Sequence, residues 1–130
     1  MLSSDRTGQI HEQIIEQQRL PVAANARIYL GAMVSINGDG YVEPAALGAA
    51  QSDKAVFFAL ESVRNPGAAG AKHILCMTRG TILVPRGSLA VADLGKWAYL
   101  VDDESVTITE NDHRVGRITN LSGALAAISL

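Results

Sequence analysis

From Val22 to the end of the chain, apolar residues fall in short runs, some alternating with polar positions, and the runs are separated by Gly, Asn, Asp or Pro. This is the punctuation of an all-β chain. The first run, Arg27–Ile36, is rich in β-formers and is closed by Asn37-Gly38-Asp39-Gly40. The Asn-Gly pair predicts a hairpin, because both of its residues tolerate positive φ. The return strand Tyr41–Glu43 is stopped by Pro44, and an Ala-rich connection over 45–52 leads to Ala55–Val63. That run fits a buried strand, although its pattern alone does not separate strand from helix. Beyond the loop Asn65–Gly70, further strands are expected at His73–Thr78, Thr81–Val84, Trp97–Val101, Ser105–Thr109, Val115–Thr119 and Ala124–Ser129. Within Ser105–Thr109, Val106 and Ile108 alternate with polar residues, as on a half-buried strand. The expected fold is mainly β: a small single-domain β-barrel or sandwich of short antiparallel strands. No strict repeat is present, which argues against a solenoid or propeller.

Residues 1–20 follow another pattern. Gln9–Leu20 is polar, Gln-rich and free of Gly and Pro, with Ile10 and Ile14 four residues apart, and Pro21 ends it. The spacing predicts a short N-terminal helix or arm over 1–20, ahead of a β domain over 21–130. A helix with so small an apolar stripe is marginal alone. It either packs on its own domain or engages a neighbouring chain, with Ile10, Ile14 and Leu20 as its apolar anchors.

Composition narrows the function. A length of 130 residues fits one domain with one core. A single cysteine forms no intramolecular bridge, and no zinc-ligand spacing occurs. With 11 Lys and Arg against 13 Asp and Glu, the net charge of −2 argues against general nucleic-acid binding. No apolar segment reaches the roughly 20 residues needed to span a bilayer, and Met1–Leu20 lacks the order of a secretory signal. A soluble chain made in the cytoplasm is expected. Charged residues are only 18%, against a usual figure of about 25%, which hints at a surface covered by something else.

Candidate chemistry is sparse. Cys76 lies inside the apolar run Ile74–Met77 and is expected to be buried and inert. His11, His73 and His113 share no ligand spacing and read as surface residues. Asp102-Asp103-Glu104 joins two expected strands, where turn hydrogen bonding explains the carboxylates better than acid–base work does. Asn37–Gly40 lacks the further ligands of a calcium loop, and no phosphate loop, nucleophile elbow or dinucleotide fingerprint occurs. Arg79, Arg86, Arg114 and Arg117 are isolated in sequence. Trp97 and Tyr99 share one strand face, which suits a core better than a ligand platform. No catalytic residue, metal ligand or cofactor is assigned, and the weight falls on a structural or binding role.

The order of several segments carries a resemblance. Pro21–Ile36 followed by Gly40-Tyr-Val-Glu-Pro-Ala45, then Thr78-Arg-Gly80, Leu94-Gly95-Lys96, Tyr99–Asp103, Ser105–Thr109 and Val115-Gly-Arg-Ile118, resembles small bacteriophage head-decoration or capsid-cement proteins over residues 21–130. The Gln-rich segment before Pro21 and the long loop through Ala68–Lys72 depart from that pattern. The resemblance implies a β-barrel without enzymatic chemistry. It implies a protein bound to the major capsid protein on the outer surface of the virion, self-associating as a homotrimer, with no nucleic-acid or membrane partner. Two alternatives remain open: another phage component such as a head-fibre or tail base, and a small-ligand or carbohydrate-binding barrel lined by Trp97 and Tyr99.

Overall fold

The computed structural model describes residues 1–47 and 55–130. It is mainly β, a curled antiparallel sheet that forms half a barrel. Eleven strands are present among the described residues: β1 His11–Pro21, β2 Arg27–Ile28, β3 Met33–Ile36, β4 Val42–Pro44, β5 Val56–Ala59, β6 Val63–Arg64, β7 His73–Pro85, β8 Trp97–Leu100, β9 Val106–Thr107, β10 Arg114–Ser122 and β11 Leu125–Ser129. The main sheet runs β4-β3-β5-β7-β11-β10-β8-β9, with β1 added to β7, while β2 and β6 form a separate pair. The two ends of the sheet are brought together by a backbone hydrogen bond, in which Met33 N–H donates to the Asp103 carbonyl at 2.7 Å. Part of the Ala-rich connection over 45–52 lies outside the described residues.

Of the short helix or arm expected over 1–20, His11–Pro21 forms a strand. Residues from His11 to Pro21 pair antiparallel with β7, from Ile82 down to His73. The reason is competition: a helix here has a stripe of two isoleucines, whereas the long edge of β7 supplies a ladder of backbone partners, and β-branched Ile14 and Ile15 suit a strand. The ends of the segment are pinned by packing. Ile10 is buried in one core cluster, and Leu20 packs against the other.

The hairpin at Asn37–Gly40 forms, but by another turn than Asn-Gly predicts. Only Gly40 has positive φ, at 92°, and Gly40 N–H donates to the Asn37 carbonyl at 3.0 Å. The Asn37 side-chain oxygen also accepts from the N–H groups of Asp39 and Tyr41. The result is a three-residue loop ending in a left-handed glycine, held by its asparagine.

β7 is the spine of the molecule. It bonds β1 along one edge, and β5 then β11 along the other. It also feeds both cores. Ile74 and Cys76 enter the cluster of Val22, Ile28, Val34 and Val42, whereas Met77, Ile82 and Val84 enter the cluster of Met33, Phe58, Leu100, Ile118 and Ile128. On an uninterrupted strand, residues 74, 76, 82 and 84 would share a face. The switch takes place around Gly80, whose φ is +150°, and it is matched by register shifts in the facing part of β1. Such an irregularity re-aims every side chain beyond it. The two runs expected over 73–78 and 81–84 are thus one 13-residue strand.

Gly80 has no room for a side chain. A Cβ there would overlap the Gln13 carbonyl oxygen and lie 2.6 Å from Met77 Sδ. Gly80→Ala is therefore expected to cost about 2 kcal/mol or more, through strain and displacement of β1. Gly38→Ala, at a position with nothing within 4 Å, should stay within about 0.5 kcal/mol of the parent. Urea unfolding of the two variants checks both values, and equal midpoints would contradict the spine.

Candidate interaction surface

The segment before β1 is a strap laid across the open side of the fold. The Asp5 carboxylate accepts from Leu30 N–H at 3.0 Å and from the Ser62 hydroxyl at 2.7 Å. Arg6 reaches the Leu83 carbonyl at 2.6 Å, and its aliphatic stem lies over Gly31. Leu2 N–H donates to the Asp103 carboxylate at 2.9 Å. Asp103 is 2% exposed, and burial raises its pKa. Its neighbour Asp102 plays the expected turn role, accepting from the N–H groups of Glu104 and Ser105 and from the Ser105 hydroxyl. The Met1 ammonium also pairs with Asp102 and Glu104, at 2.9 and 2.7 Å. The acidic turn thus fastens the strap, a role its spacing in the sequence does not announce.

β1 itself is unusual for a strand. Glu12 through Arg19 are exposed on both faces. Among the described residues, β7 is its only strand partner, so its outer edge is open. Ile14 and Ile15 are 39% and 58% exposed, beside the register shift between Ile14 and Glu16. Glu16 accepts from the Thr78 hydroxyl at 2.7 Å, and Arg19 pairs with Glu61 at 3.0 Å. Of the three anchors expected from the sequence, Ile10 is buried in the core and Leu20 is half-buried against the second cluster. Only Ile14 is left facing outward. Ile15, its more exposed neighbour, was not anticipated; two adjacent isoleucines among Gln and Glu were the available signal.

A second feature lies on β8 and β10. Cross-strand register sets Arg117 opposite Trp97 and Arg114 opposite Tyr99, with a bulge between Arg114 and Gly116. The Arg114 and Arg117 guanidinium carbons lie 4.2 and 4.1 Å from the centre of the Trp97 ring. Both guanidinium groups therefore lie against the Trp97 ring, within cation–π distance. Neither arginine belongs to an ion pair among the described residues. Tyr99 is 8% exposed, as a core reading expects, but Trp97, expected in the core with it, is only half-buried and lies outside both clusters, because Ala98 and Leu100 are the residues of β8 that face the core. With two guanidinium groups over Trp97 and Tyr99 buried, the two rings do not share one open aromatic face.

The remaining candidates assemble no reactive centre. Cys76 is fully buried, and burial pushes its thiol up to about 12. His73 is exposed and His11 half-buried, but His113 is 3% exposed, a correction to its reading as a surface residue. It sits at the start of β10, where Leu100 N–H donates to its carbonyl and draws it inward. Among the described residues, no group of three His, Cys, Asp or Glu is placed to hold a metal ion. A depression of about 350 Å³ lies between Pro44, Ala45 and the Asp102–Asp103 turn, with mostly apolar walls. No helix among the described residues is long and apolar enough to cross a membrane. Comparison of the chain with protein-family models, curated proteins and solved structures finds no match.

The strap has a testable pH dependence. Hydrogen bonds from Ser62 and Leu30 lower the Asp5 pKa. The stabilisation is therefore complete above the unfolded value of about 4 and is lost as pH falls through the lower folded value. Asp5→Ala should melt below the parent at pH 7, and the gap should shrink below about pH 4. Thermal melts across that range check this, and a gap unchanged down to pH 2 would refute the contribution of Asp5.

Proposed function

We propose that this protein is a structural component of a bacteriophage virion, binding the outer surface of the assembled capsid and stabilising it. The observation that carries the reading is β1: an 11-residue strand with an edge unpaired among the described residues and with Glu12 to Arg19 exposed on both faces. Soluble proteins usually shorten, charge or cover such an edge, because its unpaired N–H and C=O groups template pairing with another chain. Here the edge is long and mostly uncharged, and it displays two isoleucines. A surface of this kind suits a protein that spends its working life against neighbours. The ordered segments over 21–130 supply the phage setting, through their resemblance to head-decoration proteins.

In this reading the partner is the major capsid protein, the protein associates with itself as a homotrimer, and no catalytic step is involved. The mechanism is linkage: a protein that binds the assembled shell and not its loose subunits stabilises the shell by mass action. Individually weak contacts suffice when many copies bind a symmetric surface and each protomer is held by its neighbours. β1 would supply backbone pairing to an extended segment of the neighbour, and Ile14 and Ile15 an apolar contact beside it.

The test uses particles of the phage that encodes the chain. The protein should be present on purified heads, labelled from outside by antibody, and Ile14→Lys with Ile15→Lys should reduce its occupancy at least ten-fold while leaving its melting temperature nearly unchanged. Absence from the particles would end the capsid reading, as would labelling confined to the tail or a fibre. Full occupancy of the double variant would remove β1 from the interface.

A further inference from the structure

We propose that the Arg114–Trp97–Arg117 stack is a docking point for side-chain carboxylates of an acidic segment in a partner protein. Each guanidinium lies over the indole, its carbon about 4 Å from the ring centre, and each carries five N–H donors, more than the ring contact uses. Arg117 spends one of them on the Gly95 carbonyl at 2.8 Å. Both arginines are exposed, and neither has a carboxylate partner among the described residues, although the chain carries more acidic than basic residues. Two like charges are thus held close together by stacking and by the β8–β10 register, where two free arginines would swing apart. An anion bridging or capping them relieves that repulsion.

The geometry selects among anions. A guanidinium edge presents a fork that matches a carboxylate with two parallel hydrogen bonds. Stacking has already fixed the arginine side chains, so less conformational freedom is lost on binding. A nucleic acid fits poorly: two guanidinium groups already lie over the indole it would stack on, and a net charge of −2 disfavours a long polyanion. Two cations on an otherwise slightly acidic surface suit a short segment carrying two or more Asp or Glu. Only the identity of the partner, a capsid subunit, rests on the proposed function; the chemistry of the site does not.

Trp97 is the only tryptophan, so its fluorescence reports on this site alone. The probe is a hexaglutamate peptide, titrated into the intact protein at low ionic strength, with hexalysine and an oligothymidylate as parallel arms and calorimetry as a second readout. Hexaglutamate should give a saturable change that salt abolishes. Arg114→Gln and Arg117→Gln should each weaken binding about two- to five-fold and together eliminate it, with the far-ultraviolet circular dichroism retained. Arg117→Lys, which keeps the charge and loses the fork, should fall between the parent and Arg117→Gln. Failure of hexaglutamate to bind, binding undiminished in the double variant, or tighter binding of the oligothymidylate would each overturn the proposal. Since this titration needs no phage particle, it can fail while the capsid reading stands, or succeed while that reading falls.

Discussion

The structure depends on one strand being paired along both of its edges. β7 gives one edge to β1 and divides the other between β5 and β11, so the N-terminal segment, the first half of the sheet and the C-terminal hairpin are all bonded to it. Removing any one of these partners would expose backbone groups that water alone would have to satisfy. The bend at Gly80 gives β7 its second role. Ile74 and Cys76 face one cluster and Met77, by simple alternation, the other; the reversal at Gly80 turns Ile82 and Val84 to the side of Met77. The two clusters are thereby joined through a single backbone.

The same constraint explains where the exposed surfaces are. β1 is fixed by β7 on one side and by the packing of Ile10 and Leu20 at its ends, while no strand among the described residues pairs with its other edge. At the opposite end of the sheet, β8 and β10 present the Trp97 stack, tied to β7 through β11. The strap bridges the two sheet ends through Asp5, Arg6 and the acidic turn at Asp102–Glu104. The sheet therefore presents two distinct features: an edge unpaired among the described residues and bearing isoleucines, and a pair of arginines against Trp97.

Much of the fold was legible because its signals are local. Asn37–Gly40 marks a hairpin wherever it occurs, and the apolar runs at 97–101, 115–119 and 124–129 became β8, β10 and β11 with small shifts of boundary. What was not legible depends on partners distant in sequence. Ile10 and Ile14 share a face on a helix, yet the segment is a strand because β7, some 60 residues on, offers it an edge. The runs at 73–78 and 81–84 look separate because Arg79-Gly80 interrupts the apolar pattern, whereas the glycine bends one continuous strand. The site was hardest to see. Arg114 and Arg117 stand three residues apart and would diverge on a regular strand; the bulge before Gly116 and the register with β8 bring both onto Trp97. His113 was misplaced for a related reason, since nothing in its neighbours Asp112 and Arg114 signals that its strand position faces inward.

The central claim is that β1 is a fixed strand with one paired and one open edge, held on a doubly paired β7. Amide hydrogen exchange resolved to single residues measures this directly. The account predicts that the amides of β7 from Ile74 to Val84 are among the slowest in the protein, and that protection along β1 is divided, with amides bonded to β7 slow and those on the open edge fast. Uniformly rapid exchange across His11–Leu20, as in a detached arm or a fraying helix, would contradict it, as would β7 exchanging ahead of its neighbours.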